Sequence, residues 1–132
     1  MHKPTVTGIH ATLAPANDPP PKSFVWGLLK SGDCTMFEGA RLTVFPNHRA
    51  YFSAVVTSSD DNDAWLTWLH LRDAANHELG MIEADFGDPD DSNKFVKDLP
   101  DHTQQYPWNA VGEFWGPYDF NMIAGAVMDY HC

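Results

Sequence analysis

The sequence predicts a single all-β domain, an antiparallel sandwich or small barrel of about seven to eight strands with one short helical turn. Three observations predict it. Short runs rich in aromatic and β-branched residues recur along the chain, separated by turn-forming clusters and one long connection. The run Ala64-Trp-Leu-Thr-Trp-Leu-His-Leu71 alternates with the period of a strand. At 132 residues, 43% of them hydrophobic, the chain is one domain long enough to bury an ordinary core.

Residues 1–23 read as a proline-rich arm. Pro4, Pro15, Pro19, Pro20 and Pro21 forbid a helix and would strip a central strand of ladder donors. A short strand over residues 5–13 and docking through Val6, Ile9 and Leu13 are expected of the arm. The β-domain spans residues 24–132. Residues 24–29 form an apolar run ended by Lys30-Ser-Gly-Asp33. Residues 35–45 read as one strand in which Gly39 marks a bulge or a close backbone approach. Pro46-Asn-His-Arg49 is a turn, and residues 50–57 are a strand rich in aromatic and β-branched groups.

The acidic loop Asp60-Asp-Asn-Asp63 follows, then a strand over 64–72, a turn at Asp73-Ala-Ala-Asn-His77 and a returning strand over 78–86. These two strands read as a hairpin. Residues 87–105 are too long and too polar for a tight turn, so a crossover or flap is expected, with a helical turn at 92–97. Strands over 106–115 and 124–130 close the domain, separated by the Gly116-Pro117 break and a helical turn within 118–123.

Eight basic against eighteen acidic residues give a net charge of −10. Such a chain repels phosphate backbones and anionic lipid, which argues against nucleic acid and membrane surfaces as partners. It suits cations, neutral small molecules, carbohydrate or a basic protein. No apolar run approaches the roughly 20 residues of a membrane helix. Met1-His-Lys-Pro4 is not followed by the apolar segment of a secretory signal, so a native start there implies a cytoplasmic protein.

Asp60, Asp61 and Asp63 offer hard oxygen ligands and are the candidate calcium ligands, although the loop lacks the glycine and glutamate of an EF-hand. Asp85, Asp88, Asp90 and Asp91 complete such a site if the loops meet. The same residues also suit a turn whose carboxylates keep a sheet edge from pairing. No other cofactor is expected. The histidines form no zinc pattern, and no nucleophile elbow, phosphate loop or dinucleotide fingerprint is present. Asp33 and Glu38 give Cys34 the wrong electrostatic setting for a nucleophile.

His70 lies mid-strand beside Trp68, and Glu83 or Glu78 could face it across the hairpin. His70 with Glu83 is the candidate acid/base pair if the protein is an enzyme; a half-buried histidine satisfied by a neighbour is the competing reading. In residues 65–72, Trp65, Thr67, Leu69 and Leu71 form a core phase. The opposite phase of Leu66, Trp68, His70 and Arg72 is half apolar. A free face would not ordinarily spend Leu66 and Trp68, so the arm, the flap, a second subunit or a ligand is expected to cover it. The candidate ligand-binding residues are Tyr51, Trp65, Trp68, His70, Trp108 and Tyr130. Five tryptophans exceed what packing needs, and aromatic rings stack on sugars and apolar ligands. Ordinary core packing competes with that reading.

Cys34 and Cys132 are the two cysteines. Either they are unrelated thiols, or they pair and close a loop of about 100 residues. On the chain-entropy model that closure is worth on the order of 4–5 kcal/mol, and it would favour an oxidising, extracellular setting.

Phe24-Val-Trp-Gly27, Gly32-Asp-Cys-Thr-Met36, Thr57-Ser-Ser-Asp-Asp-Asn-Asp-Ala-Trp65, Lys94-Phe-Val-Lys97 and His131-Cys132 together resemble a family of small bacterial proteins of unknown function. The resemblance covers residues 24–132, and the Asp-Asp-Asn-Asp-Ala-Trp run is its most specific element. It implies export and pairing of Cys34 with Cys132, but no activity and no catalytic residues. The start of the chain departs from it in showing no signal.

The expected function is a binding module for a small apolar molecule or carbohydrate, using a tryptophan-lined face or cavity. The alternative is a cofactor-free isomerase or cyclase that holds an apolar substrate in a small barrel, with the arm as lid. A third reading is a structural or inhibitory interaction protein whose second apolar face meets a partner subunit, with a homodimer through that sheet face as one form of it.

Overall fold

Among the described residues, two antiparallel sheets, one of seven strands and one of four, face each other as a sandwich and do not close into a barrel. The computed structural model describes residues 8, 9, 11 and 19–132. The strands are β1 (Lys22–Trp26), β2 (Leu29–Ser31), β3 (Cys34–Met36), β4 (Ala40–Val44), β5 (Arg49–Ser58), β6 (Asp63–Arg72), β7 (Glu78–Met81), β8 (Glu83–Ala84), β9 (Phe95–Leu99), β10 (Tyr106–Glu113) and β11 (Gly125–His131). The larger sheet runs β1-β4-β5-β10-β8, with β3 also pairing β5 and β2 pairing β3. The smaller runs β11-β6-β7, and β9 pairs the first half of β6 on the same edge as β7.

The two ten-residue strands set the layers. In β5, Ala50, Phe52, Ala54 and Val56 turn inward while Tyr51 and Val55 turn out. In β6, Trp65, Thr67, Leu69 and Leu71 are completely buried, and Leu66, Trp68, His70 and Arg72 lie half-buried on the outer face. The period-two reading of this strand therefore holds. Each fully buried apolar side chain contributes roughly 1.5–3 kcal/mol. The buried indole of Trp65 donates to Thr67 Oγ1 at 2.7 Å and stacks on Tyr130 of β11, ring centroids 5.3 Å apart. A buried polar edge is thus satisfied within the core.

Several elements differ from the sequence reading. Residues 35–45 are two strands, not one, because Gly39 at φ 97° makes a turn between β3 and β4 rather than a bulge. Residues 78–86 do not return as one strand. After β7 the chain switches sheets, and β8 pairs Ala84 with Gly112 and Glu83 with Glu113 of β10. Only glycine allows that approach, since a Cβ at position 112 would meet Ile82 Cγ2 at 2.8 Å. Residues 92–97 contain no helical turn: Phe95 and Leu99 point inward and Val96 and Asp98 outward, the pattern of β9.

The helical turn within 118–123 is present as a 3-10 turn at Phe120–Met122, capped by the Asp119 side chain. The strand expected at 5–13 lies for the most part outside the described residues, and so do Val6, Leu13 and the arm's role as a lid. Ile9 is described and is fully exposed. β1 takes in Lys22 and Ser23 ahead of the expected domain start.

Candidate functional site

The side seam of the sandwich holds a cavity of about 270 Å3, bounded by residues 84–88, 94–96 and 108–111. It arises where β8 ends. Beyond Glu113 and Gly112, β10 has no further partner in β8, and the Asp85 N–H reaches back to Val111 O at 3.0 Å. The chain then crosses from the larger sheet to β9 in the smaller one and leaves a gap between the two. Trp108 and Phe95, each nearly fully buried, form the aromatic floor. Asn109, on the outward phase of β10, stands at the rim with Val111.

The crossover is pinned on both flanks. Arg49 donates to both oxygens of Asp85, at 2.6 and 3.3 Å, and lies 3.7 Å from Glu113. On the other flank the Trp68 indole donates to Asp91 Oδ2 at 2.9 Å, so the crossover reaches over the outer face of β6. Asn93 Nδ2 donates to Ile82 O at 3.1 Å. Lys94 pairs with Asp88 at 3.2 Å. The Asp88 carboxyl is held below its usual range, first by the Asp90 N–H and then by Lys94.

Phe86 stands on the cavity rim, wholly exposed, with a φ of 57°. For a bulky non-glycine residue that is a true backbone outlier. Gly87 beside it is tightly packed, since a Cβ there would meet Ser92 O at 2.9 Å. The crossover is thus held closely while an apolar ring is held out over the opening.

The model of a family of unknown function, DUF6294, matches residues 41–132. The chain belongs to this family. The DUF6294 match takes in every residue bounding the cavity, and it begins after β1, β2 and β3. Neither the curated proteins nor the solved structures contain a match to this DUF6294 chain.

The candidate residues read from the sequence divide between several places. Trp108 lies at the cavity floor. Trp65 and Tyr130 stack on each other, Trp65 completely buried, so Trp65 presents no face to a ligand. Trp68 is held by Asp91 of the crossover, and the flap is one of the four covers expected for this face, with the arm, a second subunit and a ligand. Tyr51 lies half-exposed on the outer face of the larger sheet. Phe86, Phe95 and Asn109 were not legible as site residues; the only signal was the Gly87-Asp-Pro89 turn chemistry following an apolar residue.

His70 has both ring nitrogens engaged, Nδ1 with Glu78 Oε2 at 2.7 Å and Nε2 with Asp129 Oδ2 at 2.8 Å. Glu83 is not its partner, because β8 has left the smaller sheet for the larger. Arg72 donates to the same Glu78 at 3.1 Å, so the cluster is a cross-strand network joining β7, β6 and β11. With both nitrogens occupied, neither is free to accept a proton from a substrate. The geometry does not support an acid/base role for His70 and Glu83.

The acidic loop is split. Asp61 turns away to accept from the His102 N–H at 2.9 Å and from His102 Nδ1 at 2.7 Å. Asp60 and Asp63 instead gather with Asp33, each offering a carboxylate oxygen within 4.8 Å of the others. Asp63 accepts from Ser58 Oγ at 2.6 Å. A hydrogen bond with Asp33 is the main reason the Asp60 carboxyl is raised above its usual range, with charge repulsion from Asp33 second. Asp85, Asp88 and Asp91 do not complete this group, being bound to Arg49, Lys94 and Trp68. Cys34 and Cys132 stand at disulfide distance, their Cα atoms 6.0 Å apart, and link β3 to the end of β11 across the two sheets.

Proposed function

We propose that this DUF6294 protein is a binding module that takes one small neutral ring, of the size of a sugar, into the seam cavity. The observation carrying the reading is Phe86. A side chain left wholly in water at a positive φ costs on the order of 1–3 kcal/mol in backbone strain alone, and such strain concentrates at ligand clamps. Contact with a ligand gives that ring a partner. The floor of Trp108 and Phe95 supplies an aromatic surface for the apolar face of a sugar or another ring.

Asn109 supplies an amide at the rim, and Asp88 and Lys94 supply an acceptor and donors. The charges at the rim are matched, Asp85 against Arg49 and Asp88 against Lys94. That neutrality, on a chain of net charge −10, favours an uncharged ring in the cavity. An isomerase or cyclase would need an enclosed apolar chamber, whereas this cavity opens along the seam and carries polar groups.

Titration with the methyl glycosides of glucose, galactose and mannose, followed by amide shifts in an NMR spectrum, tests the reading. Shifts confined to residues 84–88 and 108–111 are the expected result. Phe86→Ala is expected to lose at least tenfold in affinity while keeping or raising the melting temperature. Unchanged affinity in Phe86→Ala sinks the clamp.

A further inference from the structure

We infer that the ligand is longer than one ring, a glycan whose next sugar carries a carboxylate bound by Arg41 beside Tyr51. The inference rests on the seam cavity holding the first ring. A second depression, of about 150 Å3, lies on the outer face of β4, β5 and β10. It shares residues 109–111 with the seam cavity, so the two adjoin across a single stretch of β10. The register sets Thr43, Tyr51 and Val111 in one cross-strand row and Arg41, Ser53 and Asn109 in the next. A row centred on the Tyr51 ring therefore runs beside a polar one. From β10 to β4 is two strand spacings, about 10 Å, enough for a second ring beyond the first.

Tyr51 is 48% exposed, and its ring is fixed by the edge of Phe45, centroids 5.3 Å apart and planes at 86°. Its exposed face offers a platform for a ring. Arg41 identifies the chemistry. Of the three arginines, Arg49 is engaged by Asp85 and Glu113, and Arg72 by Glu78. Arg41 makes no ion pair or side-chain hydrogen bond among the described residues, although the chain carries eighteen acidic groups. A free guanidinium fork matches a carboxylate by two parallel hydrogen bonds, a match that sugar hydroxyls do not provide. Ser53 and Asn109 beside it serve the ring hydroxyls.

Calorimetry and amide-shift titration with two sets of disaccharides test this, one set neutral and one with a uronic acid as one ring. The acidic set is expected to bind about tenfold more tightly than the neutral set and to shift the amides of residues 41 and 51 as well as those at the seam. Arg41→Met is expected to remove that tenfold preference and leave methyl glycoside binding unchanged. Equal affinity for the two sets, with seam shifts intact, overturns the inference and leaves the single-ring reading standing. A preference that survives Arg41→Met overturns it as well. Silence at the seam with every sugar overturns both.

Discussion

Lys22 Nζ donates to the carbonyl of Ile123 at 2.6 Å, across 101 residues of sequence. The same ammonium reaches the carbonyls of Phe120 at 3.1 Å and Asn121 at 3.3 Å, and sits 4.9 Å above the Phe120 ring. The three carbonyls belong to the 3-10 turn and its C-cap, and the Phe120 carbonyl also accepts from the Ile123 N–H at 3.1 Å. Lys22 thereby joins the first strand of one sheet to the approach to the last strand of the other.

Replacing Lys22 by Met keeps the apolar stem and removes the donor. Hydrogen bonds to a charged group contribute about 1.5–3 kcal/mol, so unfolding in urea is expected to show a loss in that range. A loss below about 0.5 kcal/mol would mean that water replaces the ammonium without cost.

Tyr118 gives the opposite sign. Its hydroxyl is buried and has no hydrogen-bond partner among the described residues. Burial raises its pKa above the ordinary 10.0. Tyr118→Phe removes a desolvated group with nothing to lose, so the variant is expected to be as stable as the parent or up to about 1 kcal/mol more so. With a raised folded value, stability tied to the neutral phenol is present below pH 10 and lost as pH climbs past it. The phenylalanine variant is expected to flatten that alkaline limb of a melting-temperature profile.

Asp60 crowds Asp33 and Asp63, and its folded pKa is raised above the ordinary 3.8. Protonation therefore favours the folded state, an advantage complete below pH 3.8 and lost as pH rises through the raised value. Asp60→Asn is expected to melt higher than the parent at pH 7 and equally at pH 3. The same variant tests calcium. If the three carboxylates hold that ion, millimolar calcium raises the parent's melting temperature, EDTA reverses the rise, and Asp60→Asn responds to neither. A parent indifferent to EDTA and calcium removes the metal.

Asp61 and His102 tie the β5–β6 loop to the loop after β9, and their shifts run in opposite directions. Asp61 lies below its ordinary 3.8, chiefly through the His102 N–H, and His102 lies above its ordinary 6.5, chiefly through the Asp61 side chain. The carboxylate's share is present above pH 3.8 and fades as pH falls through the depressed value. The imidazolium's share is present below pH 6.5 and fades as pH rises through the raised value. Hydrogen exchange of the His102 amide is therefore expected to be most protected between about pH 4 and 6.5. His102→Ala should abolish that maximum, and a flat profile in the parent would discount the pair.

Residues 65–72 show why the layers were legible and the site was not. Alternation alone identified Trp65, Thr67, Leu69 and Leu71 as the inward phase, because burial on one face leaves a period of two in the sequence. It could not say that Trp65 would be sealed by Tyr130, since that depends on the register of β11. Likewise His70 could be read as needing a partner, yet Asp129 and Glu78 come from strands on opposite sides of it. The two-residue β8 carries no period at all, so the sheet switch at residues 82–83 went unread. β9 was hidden by the polar Ser92-Asn-Lys94 that precedes it. The cavity follows from that switch: Phe86, Phe95 and Asn109 belong to three separate runs that meet only because the chain changes sheets.

The link between Cys34 and Cys132 has a mechanical consequence. Among the described residues β11 pairs with β6 alone, along one edge, and a tug at its far end would ordinarily open the backbone ladder one rung at a time. With Cys132 anchored to β3, the load passes instead into the larger sheet. There it meets the β3–β5 ladder, so the last strand cannot come away without loading the pairing of the other sheet as well. The last strand behaves as a fastened strap rather than as the open tab of a zip.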